Sequence, residues 1–234
     1  MNYLRRYYLM AVLVPLLALV AFKRKIPTVF LIGDSISIQY GPYLKKYLEG
    51  IAELSRKEDD GNAEKNLDVP TGANGGDSRM VLAYLRSRLK DPDFKPDFLL
   101  LNCGLHDIKR DTRNGKLQVE EIDYRNNLTT LFSLLKNHDI KPIWIRTTAV
   151  VDSIHNSRSR AFYRYAADLT RFNTIADDIC KAFQVPQIDL HGFTWRLGQD
   201  QFIDHVHYSE PARALQAAFI AGQLAQIIPN YVGN

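Results

Sequence analysis

The chain has 234 residues, 46% of them apolar and 24% charged, which is enough for one domain with a sizeable core and unlike a disordered or fibrous polymer. Its formal net charge is only +4, less than the cations Arg5, Arg6, Lys23, Arg24 and Lys25 supply near the start. That placement points to a membrane surface and argues against a nucleic-acid partner, which needs Lys and Arg clustered on a folded face.

Residues 1–25 have the layout of a secretory leader: Arg5-Arg6, an apolar run from Tyr7 to Phe22, then Lys23-Arg24-Lys25. The run is short for a bilayer span of about 20 residues. Ala21 offers a small residue for cleavage, while the basic cluster after it also suits a retained anchor. No cysteine stands near this segment for lipid attachment. The chain is therefore expected to be exported, periplasmic or extracellular, and to touch a membrane only through its N-terminal segment. Residues 26–234 read as one domain.

Within that domain, apolar runs of strand length cover Thr28 to Ile32, Phe98 to Asn102, Pro142 to Thr147 and Val185 to Leu190, with a weaker one at Leu67 to Pro70. Helical spacing covers Tyr43 to Leu54, Met80 to Leu89, Tyr124 to Lys136, Ala161 to Phe183 and Pro211 to Ile228. Strands apolar on nearly every residue, alternating with helices, predict an α/β fold with a parallel sheet covered on both faces. Gly, Asp, Asn and Ser collect in linkers at 59–62, 71–78, 111–115 and 152–160. Cys103 and Cys180 are expected as two half-buried thiols, since a chain of this size needs no disulfide framework.

In a doubly wound sheet the ligand crevice lies outside the carboxyl ends of the strands, so the chemistry is sought just after each strand. Gly33-Asp34-Ser35 follows the first strand, where a sharp turn presents Ser35 beside the N-H groups of the next helix. The same triplet also makes an ordinary helix cap. Asp204-His205-Val206-His207 precedes the final helix, which Ser209 or Glu210 and Pro211 start. A one-turn spacing sets Asp204 beside His207, so the carboxylate can orient the ring while its other nitrogen takes the serine proton. The glycine-rich loop Thr71 to Ser78 and the loop Asn102 to Asp107 can supply oxyanion donors, with Gly75 or Gly76 offering an N-H in the first.

Together these loops resemble the four blocks of the SGNH (GDSL-like) hydrolase family. Gly33-Asp34-Ser35 is similar to the first, Asn74-Gly75-Gly76-Asp77-Ser78 to the second, Gly104-Leu105-His106-Asp107 to the third and Asp204-His205-Val206-His207 to the fourth. The resemblance implies a flavodoxin-like three-layer α/β/α sandwich of about five parallel strands. It implies Ser35 as nucleophile, His207 as base and Asp204 as its orienter, with the Ser35 and Gly76 N-H groups as oxyanion donors. The family's third block usually carries Asn where this chain has His106, and a His there resembles a distinct branch. His106 is expected to donate in place of the Asn, as a neutral ring or with charge as a protonated one, unless it recognises substrate instead.

The reaction expected is hydrolysis of small acyl esters, O-acetyl groups on a carbohydrate foremost, with no cofactor. A non-catalytic carbohydrate-binding module and an O-acyltransferase use the same residues and stand as alternatives. A zinc site from Asp204, His205, His207 and His106 is a further reading. It is set aside, because His205 and His207 share a side only in a strand and Pro211 marks a loop entering a helix. Tyr40, Tyr43, Arg79, Arg146, Trp195 and Arg196 are candidates to line the site.

Overall fold

The computed structural model describes residues 26–59 and 61–229. The leader expected over residues 1–25 lies outside the described residues, as does Asp60 of the 59–62 linker. The elements run β1 (Thr28–Ile32), α1 (Ser35–Tyr47), β2 (Glu53–Arg56), α2 (Ser78–Arg88), β3 (Phe98–Leu101), α3 (Glu121–Asn137), β4 (Lys141–Ile145), α4 (Asp152–Arg158), α5 (Ala166–Phe183), β5 (Gln187–Ile188), α6 (Leu190–Trp195), a 3-10 turn (Gln199–Gln201) and α7 (Glu210–Ile227).

All strand pairings are parallel and the order is β2-β1-β3-β4-β5. This is the flavodoxin-like order, whose switch point lies between β1 and β3. Helix α1 packs on α7, while α2 packs on α3 and α3 on α5, so the sheet is covered on both faces. Burial explains the strand composition: β3 is buried at all four residues and β1 at four of five. Their side chains, with Trp144, Phe132 and Tyr124, form one continuous core. That core is the dominant stabilising term, because each large apolar side chain moved out of water contributes about 1.5–3 kcal/mol.

The second strand departs from the sequence reading. Leu67 to Pro70 is a turn region, and the strand beside β1 is Glu53–Arg56. It lies at the sheet edge with alternating exposure, so only Leu54 supplies an apolar side chain and the segment reads as polar. Leu67 instead packs on a small cluster of Ile38, Ala63 and Ala73.

The first helix likewise begins at Ser35 and ends at Tyr47, not over Tyr43 to Leu54. Its first turns carry Ser35, Ser37 and Gly41, and it runs through Pro42, features that mask helical spacing. Asp34 starts it, accepting from Ile36 N at 3.0 Å. Helix α5 starts at Ala166, five residues later than read, because Tyr163 pairs with Arg110 as an isolated bridge first. The short α4 and α6 and the two-residue β5 fall below the length at which periodicity is decisive. Cys103 and Cys180 are free, as expected, but fully buried rather than half-buried, each packed into the continuous core.

Candidate active site

Each post-strand loop is tied to its neighbour at one rim of the sheet. Gly75 N donates to Gly33 O at 2.8 Å, and Gly33 bridges Asn74, which joins the second loop to the first. Asp107 accepts from Ser78 N at 2.9 Å, joining the third loop to the second. Asn102 Nδ2 reaches Ile145 O at 2.8 Å and Thr147 Oγ1 at 3.1 Å, fixing the third loop on β4. Close approach makes glycine necessary at position 104, where φ is +150° and a Cβ would meet Thr147 Oγ1 at 2.7 Å.

The fourth loop closes on itself before α7. Phe202 bridges Tyr208, Ile203 N donates to His207 O at 2.9 Å, and Asp204 Oδ1 accepts from both Val206 N and His207 N at 2.8 Å. Arg158 of α4 holds the Asp204 carbonyl at 2.7 Å. This small bend sets the Asp204 carboxylate against its own loop's imidazole: His207 Nδ1 lies 2.7 Å from Asp204 Oδ2. The other ring nitrogen, Nε2, lies 2.8 Å from Ser35 Oγ, across 172 positions of sequence. Ser35 and His207 are both buried, while the Asp204 side chain remains 41% exposed.

Electrostatics match this arrangement. Burial works to raise the Asp204 carboxyl, but the bonds from His207 and the two backbone N-H groups outweigh it and hold it well below the usual carboxylate range. A carboxylate fixed in its charged form keeps the proton on Nδ1 and leaves Nε2 to accept from the serine hydroxyl. Asp34, capping α1, is pushed up by burial, against the pull of Ile36 N-H, Arg164 and His207.

The three expected oxyanion donors stand differently. Ser35 is the first residue of α1, so its N-H has no carbonyl one turn back in the helix to bond. Gly76 N, by contrast, donates to Asn74 Oδ1 at 3.0 Å and is already engaged. His106 is buried with Nδ1 unpartnered among the described residues. Burial first, then Lys109 and Arg164, hold its pKa well below 6.5, so it is neutral and the charged donor envisaged from sequence does not form.

Beyond His207, His205 belongs to a cluster whose other members the sequence does not mark. His205 Nε2 is 3.0 Å from Asp68 Oδ2, and its Nδ1 is 3.0 Å from His155 Nδ1. Burial raises and His205 lowers the Asp68 carboxyl, the net effect bringing it to about 2. Burial, with Arg164 and His205, brings His155 down to about 3. Arg164 is fully buried, donates through Nε to Leu105 O at 2.6 Å, and faces the charges of Asp68, Asp34 and Asp204. Lys109 Nζ bonds Asp68 O at 2.9 Å and sits 4.1 Å from the Phe162 ring centroid. Asp68, His155 and Arg164 come from turn, short-helix and loop segments with no local motif, so nothing in the sequence around them marked the cluster.

Asp204, His205 and His207 do bring ligand-type atoms within 4.8 Å of one another. Those atoms face each other, Ser35, Asp68 and His155 rather than a common centre. Of the other lining candidates, Tyr40 is buried, Tyr43 donates to Glu210, Arg79 pairs with Asp77, Arg146 pairs with Asp177 and Asp189, and Trp195 is half exposed on α6.

Residues 31–214 match the model of the GDSL-like lipase/acylhydrolase family. The chain belongs to that family of ester hydrolases. Solved structures agree on the fold. A lipase/acylhydrolase from Enterococcus faecalis superposes with a TM-score of 0.64 at 17% identity, covering 86% of this chain and 96% of that one. The acetyl xylan esterase AlAXEase superposes at 0.61 with 16% identity, covering 84% and 98%. A Bacillus subtilis protein named uncharacterized lipoprotein YqeF is 28% identical over 137 residues, 53% of this chain, and the match spans about half of that protein's length, 55%. No helix among the described residues is long and apolar enough to cross a membrane.

Proposed function

We propose that this GDSL-like hydrolase is a serine esterase that removes small acyl groups, acetyl foremost, from a carbohydrate. The observation that carries the reading is the continuous chain from Ser35 Oγ through His207 to Asp204, with contacts of 2.8 and 2.7 Å. His207 takes the Ser35 proton as Oγ attacks the ester carbonyl. The tetrahedral oxyanion forms beside the N-terminus of α1, where the Ser35 N-H is free of intrahelical bonding. As the intermediate collapses, the acyl-oxygen bond breaks and the departing alcohol takes the proton from His207. Water, deprotonated by the same ring, then releases the acid from Ser35.

His106 serves as a neutral donor to the oxyanion, and Gly76 N-H joins it by sharing its bond to Asn74 or exchanging it. Each such donor is worth about 2.7–4 kcal/mol in the transition state. No cofactor is required for these steps. The acetyl-carbohydrate assignment draws support from the acetyl xylan esterase among the structural neighbours. Export draws support from the leader-like residues 1–25 and from the relative named a lipoprotein.

A fluorophosphonate probe tests the nucleophile, with covalent labelling of Ser35 expected and none in Ser35→Ala. Acetate release from acetylated xylan, pectin and peptidoglycan tests the substrate class. Turnover of long-chain aryl esters with no acetate released from any of these polymers would overturn the carbohydrate assignment. Failure to label Ser35 under conditions that label a control esterase would favour the binding module instead.

A further inference from the structure

Next to the Ser35 site lies a cleft of about 830 Å3 whose lining includes Arg79, Lys109, Arg110, Arg113 and Lys116 against a single carboxylate, Asp111. Its other walls are polar or apolar, among them Gln118 and Phe162. The cleft adjoins the site through two ring contacts. The Phe162 ring centroid lies 6.1 Å from that of His205, and His205 lies 5.7 Å from His207. It also borders the second and third post-strand loops, since Arg79 follows Ser78 and Lys109 follows the His106 loop.

The arrangement of charge in this cleft is layered. Arg79 pairs with Asp77, but the arginine side chain is 55% exposed and the aspartate 2%. Arg110 pairs with Asp168 at 26% against 3%, and Arg113 with Asp111 at 85% against 32%. In each pair the carboxylate lies deeper and the guanidinium faces outward, so a ligand in the cleft meets the cationic side. Lys116 is exposed and has no side-chain partner among the described residues. Glu120 and Asp123 act on Arg110 and Arg79 from outside the lining. The Nε and Nη2 groups of Arg79 and Arg113 are held by their own carboxylates, so these arginines offer their outer Nη1 edges, and Lys116 its ammonium, to carboxylate or phosphate oxygens.

We propose that this cleft is an anion subsite and that the acyl group removed at Ser35 is carried by a polyanionic glycan, its charged groups seated on Arg79, Arg113 and Lys116. The inference rests on the esterase reading above and narrows its substrate. A polymer deacylated at Ser35 extends past the Phe162 wall into the cleft, and each anionic unit adds attraction that salt weakens. Carboxylate and phosphate present the same chemistry to these side chains.

The test compares kcat/KM of the full chain on O-acetylated polygalacturonate, an O-acetylated polyol-phosphate polymer and neutral O-acetylated xylan. At least one anionic polymer is expected to exceed xylan by about tenfold at low salt, with the advantage shrinking toward unity near 0.5 M salt. The polymer preferred identifies carboxylate or phosphate as the group bound. The double variant Arg113→Glu/Lys116→Glu is expected to lower the anionic-to-xylan ratio by about tenfold, a ratio taken within one protein and so insensitive to the folded fraction. A ratio indifferent to both salt and variant overturns the subsite, while leaving the esterase standing if aryl acetate still turns over. Absence of any turnover together with absence of fluorophosphonate labelling overturns the esterase reading itself, and the subsite with it.

Discussion

Two histidines two residues apart on one loop face different partners. His207 holds Asp204 on one side and meets the Ser35 hydroxyl on the other. His205 holds Asp68 on one side and meets a second imidazole, His155, on the other. Both make a hydrogen bond of 3.0 Å or less to a carboxylate, so pairing with an acid does not distinguish them. What differs is the last partner: a hydroxyl at a helix N-terminus can become a nucleophile, whereas a buried neutral imidazole can only brace. The comparison teaches that a His-Asp pair is recognised by what its free nitrogen faces.

The largest effect should separate the two at once. Ser35→Ala or His207→Ala is expected to lower kcat on an aryl acetate by at least about 10⁴-fold, and Asp204→Asn by a similar order, since members of such a unit act together. Thermal unfolding should move little for Ser35→Ala. His205→Ala, by contrast, strands the Asp68 and His155 atoms it now satisfies. It is expected to cost about 1–3 kcal/mol in urea-unfolding free energy and roughly tenfold or less in kcat. A loss of activity in His205→Ala as deep as that in His207→Ala would break the comparison.

Acid should next act on the bracing side. His155, held to about 3 by burial, stays neutral in the folded protein while the unfolded chain protonates near 6.5. Between those values the unfolded state binds more protons, so this group's contribution to stability is lost as pH falls from about 6.5 toward 3. His155→Phe keeps a ring against Phe162 and should flatten that acid loss in chemical denaturation, at the cost of the bond to His205.

Asp107 gives the smallest and opposite effect. Burial raises it from 3.8 to about 7, so between those values the folded state binds more protons and stability falls as pH rises. Asp107→Asn keeps an acceptor for Ser78 N and should gain more stability, relative to the parent, at pH 8 than at pH 5. A variant whose relative stability is the same at both pH values would show that Asp107 does not titrate in this window.

How much of this was legible depends on how local each signal is. β1, β3 and β4 were readable because buried parallel strands are apolar on both faces, and the pairing of Asp204 with His207 because it needs only three residues of chain. β2 was not, since a half-exposed edge strand carries Glu53, Ser55 and Arg56 and looks like a loop. Arg164 and His155 were not, because each is polar in sequence and acquires its role only from partners on distant segments.

From the linear chain alone came the alternation of strand and helix, the serine after the first strand and the histidine before the last helix, all properties of short stretches whose composition follows from burial and turn geometry. Only the folded molecule decided that Ser35 meets His207, that His106 stays neutral and that His205 turns inward. Those outcomes depend on which charges and rings the sheet brings together, and desolvation and hydrogen bonding have no value until that neighbourhood exists.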